Sequence, residues 1–237
     1  MRRVRIGIDV GGTFTDAVAV DNETYEIIAQ DKLPTTHSAA EGVAAGIIEI
    51  LKKLLTENHI APEEVVFIAH GTTQATNALL EGDVAKVGIL GMGHGFWAGR
   101  AASDTAVEDI PLAPGKTLAA VHAFARVADA ASQEETIRAK IDALARQGAA
   151  VIVASEAFGV DAPEGERFVM DLAREKGLFA TGGHEVSRLY GLKTRTRTAV
   201  INGSLIPKMM ETADMTENSV RRSGITAPLL IMRCDGG

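Results

Sequence analysis

The feature that most constrains this chain lies at its start. Val4 to Val10 alternates, with Val4, Ile6 and Ile8 on one face, and runs into Asp9-Val10-Gly11-Gly12-Thr13-Phe14-Thr15-Asp16. A period of two predicts a strand. The Gly-Gly pair, followed by a second extended run over Phe14 to Val20, predicts a tight turn. Asp21-Asn22-Glu23 is a further turn signal, and Tyr25 to Gln30 reads as a third strand. Short turns between successive strands predict an antiparallel meander. The first turn also suits an anion. Two residues without Cβ let the backbone come close, successive N–H groups form a nest for phosphate oxygens, and the hydroxyls of Thr13 and Thr15 add donors. Asp9, at the strand end, suits a magnesium ion held through water. A glycine hairpin with incidental carboxylates is the bland reading of the same residues.

Further along, Ser38-Ala39-Ala40-Glu41 is a capping box opening a helix with the apolar stripe Val43, Ile47, Ile50, Leu51, Leu54 and Leu55. Val65 to Ala69 reads as a buried strand, His70 to Thr73 as a loop, Gln74 to Glu81 as a short helix and Lys86 to Leu90 as a strand. Helix and strand in alternation predict parallel α/β structure. Gly91 to Gly115 holds Gly91, Gly93, Gly95 and Gly99 with the single tryptophan, and shows no period, which predicts a long loop or flap. A second capping box at Ser132-Gln133-Glu134-Glu135 opens a helix that buries Ile137, Ile141 and Leu144 and stops at Gly148. Ala149 to Ala154 is a strand, and Asp161-Ala162-Pro163-Glu164 caps a helix ending at Gly177. Thr198 to Arg222 reads as a long helix kinked at Pro207, and Leu229 to Met232 as a last strand. These readings divide the chain into a phosphate-loop part over 1–90, an irregular flap or insertion over 91–130 and a second α/β part over 131–237. A strand running into Asp235-Gly236-Gly237 reads as the start of a loop, so the chain is expected to be cut from a longer protein.

The net charge of −7 argues against nucleic acid or an anionic membrane as partner. No apolar run reaches the roughly 18–20 residues of a membrane helix, and the start lacks the apolar region of a signal peptide. A single cysteine, Cys234, points to a reducing cytoplasm. It has no histidine partner in a nucleophile motif and reads as a structural thiol. His94, His122 and His184 lack metal-ligand spacing, Arg195, Arg197, Arg221 and Arg222 read as solvated helix charges, and Met209-Met210 reads as core.

Residues 5–20 resemble the first phosphate loop of the actin, sugar-kinase and heat-shock-protein ATPase superfamily. The sharper form Asp-Val-Gly-Gly-Thr-Phe-Thr-Asp is similar to the opening of the hydantoinase/oxoprolinase family, which includes ATP-dependent 5-oxoprolinases, N-methylhydantoinases and subunits of acetone or acetophenone carboxylases. His70-Gly71-Thr72-Thr73-Gln74-Ala75-Thr76-Asn77-Ala78-Leu79-Leu80-Glu81 resembles a second segment of that family. On residues alone it is a strand delivering a Gly-Thr-Thr loop to a helix N-terminus, which favours anions, or simply a helix with Thr73 as N-cap. His184-Glu185-Val186-Ser187, Arg195 to Pro207 and Leu230 to Gly237 carry weaker likenesses. Gly95-Phe96-Trp97-Ala98-Gly99-Arg100 departs from the family's Gly-Phe-Arg-Asp segment, which leaves room for a substrate other than one of the 5-oxoproline or hydantoin type. A second Asp-x-Gly-Gly-Thr is missing.

The resemblance implies an α/β, ribonuclease H-like (actin-like ATPase) fold, in which the meander continues into a mixed sheet with helices on both faces. It implies ATP and Mg2+ as cofactors and a cyclic amide or ketone substrate activated at its oxygen by phosphorylation. Asp9 would hold the metal through water and Asp16 would support it or position water. Gly11, Gly12, Thr13 and Thr15 would surround phosphate, and His70, Gly71, Thr72, Thr73 and Asn77 would meet substrate or phosphate. It also implies a missing C-terminal half or partner subunit, an oligomeric full-length form and an isolated chain without activity. A nucleotide-sensing interaction module, or a sugar-kinase-like phosphotransferase, is the alternative.

Overall fold

The computed structural model describes residues 2–36 and 43–232. The chain forms two compact units, one of residues 1–77 with 209–237 and one of residues 78–208. This division differs from the boundaries at 90 and 130 expected from the succession of elements.

In the first unit the alternating start forms β1 (Val4–Val10) and β2 (Phe14–Asp21), joined by the Gly-Gly-Thr turn. β3 follows as Ile27–Pro34, later than expected. The Asp21 carboxylate accepts the N–H groups of Glu23 and Thr24, and Tyr25 takes a positive φ of 61°, so the turn consumes the first residues assigned to the strand. The helix α1 (Val43–Glu57) comes next; its expected capping box at Ser38 to Glu41 lies outside the described residues. β4 (Val65–Thr72) runs three residues beyond the expected strand end. The loop assigned to 70–73 is therefore mostly strand, because Ile8 to Val10 of β1 pair with His70 to Thr72. α2 (Gln74–Glu81) starts in this unit, and β11 (Leu229–Ile231) closes the sheet.

The sheet order is β11-β4-β1-β2-β3. β1, β2 and β3 are antiparallel neighbours, while β4 and β11 run parallel to β1, so the meander does continue into a mixed sheet. Ile6, Ile8, Val10, Ala17 and Ala19 face Ile47, Ile50, Leu51 and Leu54 of α1 in one apolar core, together with Val220 and Ile225. Lys53 Nζ, 2.6 Å from Asp31 Oδ1, ties α1 to β3 on the same face. The opposite face carries Arg5, Gly7, Asp9, Asp16 and Val18.

The second unit has a four-stranded, all-parallel sheet in the order β10-β9-β5-β8, made of β5 (Val87–Gly93), β8 (Ala120–Arg126), β9 (Val151–Glu156) and β10 (Phe179–Gly182). α4 (Glu134–Arg146) and α5 (Glu164–Glu175) bury one face against Leu90, Met92, Ile152 and Ala154. The other face, with Val87, Ile89, Val151 and Val153, meets the hairpin β6 (Ile110–Ala113) and β7 (Lys116–Leu118), and Ala199 and Val200 of α7 (Leu192–Arg222), which follows the short α6 (Gly183–Val186). Here helices do lie on both faces.

Several expectations are corrected in this unit. The segment 91–130 is not an irregular flap: it holds the end of β5, the helix α3 (Ala98–Thr105), the β6–β7 hairpin and β8. Gly91 and Gly93 belong to the strand, where a Cβ at Gly91 would lie 2.8 Å from Thr105 Cβ and one at Gly93 2.8 Å from Ala101 Cβ. Those glycines let α3 pack on β5; their spacing mimics a loop. The Ser132 hydroxyl donates to the Asp129 carbonyl instead of capping α4. α5 starts at Glu164 without a side-chain cap, and both helices end before glycines at positive φ, Gly148 and Gly177. α7 begins at Leu192, six residues earlier than expected, with Pro207 inside it. Among the described residues no helix is long and apolar enough to cross a membrane.

Candidate phosphate and metal site

Strand register decides which side chains share the open face of the first sheet. Gly71 pairs with Asp9, Asp9 with Asp16, and Asp16 with Lys32. Directly opposed residues point to the same side, so these four form one transverse row across β4, β1, β2 and β3. The next row is Ala69, Gly7, Val18 and Gln30. Both rows line a concavity of about 620 Å³ that Met232 also borders.

Two carboxylates thus stand side by side, an arrangement that repels unless a cation joins them. Lys32 Nζ is 3.1 Å from Asp16 Oδ1 and also sits over the Phe14 ring at 4.8 Å. Asp9 is exposed, and a Cβ at Gly71 would come within 3.5 Å of Asp9 Oδ1. A larger residue at 71 would fill the space next to that carboxylate.

The turn beyond Asp9 is braced from below. Gly11 N–H donates to the Phe14 carbonyl, Thr35 N–H to the Thr13 carbonyl, and the Thr35 hydroxyl to the Gly11 carbonyl. Thr15 is fully buried, on the same face as Ala17, with its hydroxyl 3.3 Å from that of Thr35. Its expected role as a phosphate donor is corrected: it supports the turn through Thr35. Gly12 and Thr13 are exposed at the apex. Neither Gly11 nor Gly12 has a positive φ, so the left-handed residue of an αR–αL nest is absent from the pair. A Cβ at Gly11 would approach the Phe14 carbonyl oxygen at 3.2 Å, which explains glycine there.

The second segment divides. The Asn77 amide Nδ2 lies 3.6 Å from the place a Gly12 Cβ would take, so α2 brings Asn77 to the apex. Thr73 is exposed and its carbonyl accepts the Asn77 N–H, the first bond of α2. Gly71 joins the row, and Thr72 ends β4. His70 does not join them. It pairs with Ile8, on the face opposite Asp9, is fully buried, and neither ring nitrogen has a hydrogen-bond partner. Burial alone pushes its pKa down to about 4. An imidazole kept neutral there is not a phosphate ligand on the Asp9 face, which corrects the expectation for His70. Lys32 was missed, since its partner is set by β2–β3 register rather than by any local motif.

The model of the hydantoinase/oxoprolinase N-terminal region matches residues 5–177, and that of hydantoinase/oxoprolinase matches residues 195–237. The chain belongs to the hydantoinase/oxoprolinase family. This hydantoinase/oxoprolinase chain is 27% identical to the caprolactamase subunit alpha of Pseudomonas jessenii, over 100% of its own length and 36% of the relative's. It is 28% identical to the acetophenone carboxylase gamma subunit of Aromatoleum aromaticum, over 98% and 35%. The crystal structure of the ATP-dependent caprolactamase from Pseudomonas jessenii superimposes with a TM-score of 0.68 at 26% identity, over 98% of this chain and 36% of that one. Nucleotide-free acetone carboxylase gives the same TM-score at 22% identity over the same shares, a likeness of fold. The chain spans about a third of the length of the curated relatives it matches.

Proposed function

We propose that this chain supplies the phosphate- and magnesium-binding part of an ATP-dependent enzyme acting on a cyclic amide or a ketone. The observation that carries it is the row Gly71–Asp9–Asp16–Lys32 beside the Gly11-Gly12-Thr13 apex. A sheet order of β11-β4-β1-β2-β3, with two antiparallel and two parallel strand pairs, supports a ribonuclease H-like, actin-like reading of the first unit. The ATP-dependent relatives support the cofactor.

The donor set fits magnesium. This ion keeps several waters and takes one or two carboxylates plus phosphate oxygens rather than a full protein cage. Asp9 is the residue to hold the ion through water, with Asp16 positioned by Lys32. When bound, the ion would neutralise phosphate charge during transfer to the substrate oxygen. Gly12, Thr13 and Asn77 would meet phosphate at the apex. Lys32 adds a cation that suits the same anion.

A cytoplasmic location belongs to the same proposal, as does completion by a further half or a partner subunit, and the relatives' names as subunits support the second of these. The test is phosphate release by the complete enzyme with Mg-ATP and a panel of lactams, hydantoins and ketones. Substrate-stimulated release is expected. A nucleotide-dependent change of oligomeric state with no response to any substrate would overturn the enzyme reading.

A further inference from the structure

The second unit carries a cavity that the phosphate site does not use. It encloses about 460 Å³ and is bordered by Trp97, Arg100, Phe158, Tyr190 and Lys193, with Asp104 also at its wall. Its place in the fold is informative. In the sheet order β10-β9-β5-β8, the chain leaves β5 toward β8 on one side and β9 toward β10 on the other. Open parallel sheets bind ligands at such a switch point, beyond the carboxyl ends of the strands. Ala157 and Phe158 directly follow β9, and Trp97 comes four residues after β5.

The walls are built for a ring. Trp97, Phe158 and Tyr190 are 51%, 57% and 68% exposed around one hollow. Phe158 holds a positive φ of 65°, a conformation that β-carbon sterics disfavour and that collects at binding sites. Its carbonyl accepts the N–H groups of Asp161 and Ala162, and Asp161 Oδ1 accepts the Tyr190 hydroxyl at 2.9 Å. The Phe158 backbone and the Tyr190 hydroxyl are thus tied to one turn.

The charge favours an anion. Gly191, Leu192, Lys193 and Thr194 bring the N-terminus of the 31-residue α7 to the cavity. Its first turn contains no acidic residue, although the positive end of a helix dipole favours one. It carries Lys193 instead. Lys193 also borders a smaller recess with Glu108 and Asp109, yet makes no ion pair among the described residues. Arg100 adds a second cation, 3.6 Å from Asp104. A cation at the positive end of a helix is unfavourable alone and favourable once an anion sits between them.

We infer that this cavity is a second ligand site, for a small organic anion with an aromatic or other planar body: the ring lies among Trp97, Phe158 and Tyr190, and the acidic group meets Lys193 and the start of α7. The inference stands apart from the phosphate reading, because it uses residues of the second unit only.

Trp97 is the only tryptophan of the chain and reports on the site directly. The 237-residue chain is titrated with phenylacetate and, separately, with the uncharged phenylacetamide at constant ionic strength. Trp97 emission should change saturably with phenylacetate, and roughly tenfold tighter than with phenylacetamide. Lys193→Met, checked for unchanged circular dichroism, should bring the two probes to equal affinity, and Phe158→Ala should weaken both. If Lys193→Met disturbs the fold, raising ionic strength on the wild type replaces it and should weaken phenylacetate alone. Linear collisional quenching by both probes overturns the site. Equal affinities in the wild type overturn the anion, and saturation unchanged in Phe158→Ala overturns the location.

Discussion

Each unit gathers carboxylates, and they are treated in opposite ways. In the second unit Glu166 is fully buried and its own chain satisfies it. Oε1 accepts the Glu156 N–H, and Oε2 accepts the His184 N–H and lies 2.6 Å from His184 Nδ1. Arg195, expected as a solvated helix charge, is 1% exposed and donates to the Glu156, Leu189 and Tyr190 carbonyls. In the first unit Asp9 and Asp16 face the concavity, with Lys32 as the ion-pair partner of Asp16. A buried charge must find its partners within the fold. An exposed pair of like charges keeps lone pairs for a cation from solution. The first arrangement holds structure together, and the second is suited to a ligand.

The largest effect on stability should come from Glu166→Ala. It strands the N–H groups of Glu156 and His184, so urea unfolding of the second unit should show a loss of about 3–5 kcal/mol. A cost below about 1 kcal/mol would remove the contrast.

Next come two pH limbs of opposite sign. His70 is neutral when folded, with its pKa down at about 4 against an ordinary 6.5, so the unfolded chain binds more protons between those values. Its contribution is complete above pH 6.5 and is lost as pH falls toward 4, by roughly 3 kcal/mol in all. Glu156 is raised to about 7 from 4.5, first by burial and then by Glu166, Glu164 and Asp129. Its contribution is complete below pH 4.5 and is lost as pH rises through 7. Between about pH 4.5 and 6.5 the two slopes oppose each other and largely cancel in the wild type, so unfolding midpoints measured from pH 4 to 8 should fall with rising pH in His70→Leu and fall with falling pH in Glu156→Gln. A profile unchanged from the wild type in either variant would place that group in water.

The smallest effect belongs to Lys32→Met. Both partners of the pair are about half exposed, 56% and 47%, and such pairs contribute at most about 1 kcal/mol. Thermal melting should move little, while Mg-ATP affinity of the complete enzyme should fall.

The first hairpin was legible because its signals are local: period-two alternation, a Gly-Gly turn and an Asp at the strand end. The faces were less so. The Gly-Thr-Thr sequence points to a loop at His70, yet β4 continues to Thr72, and alternation continued from the buried Ile68 puts His70 on the buried face and Gly71 beside Asp9. Thr15 follows the same parity with Ala17 and Ala19. The pairing of Glu166 with His184, and the burial of Arg195, depend on contacts between separate elements and leave no local trace. β5 misled for a physical reason, since the glycines that admit α3 are also the residues of loops.

The central claim is that Asp9 and the glycine turn handle ATP. The direct test is ATP turnover by the complete enzyme carrying Asp9→Ala, beside its unfolding midpoint. Asp9 is exposed and belongs to no buried network, so the midpoint should stay near the wild-type value. Turnover should fall by two or more orders of magnitude, on the order of 3 kcal/mol of lost transition-state stabilisation. Wild-type turnover in that variant would contradict the account.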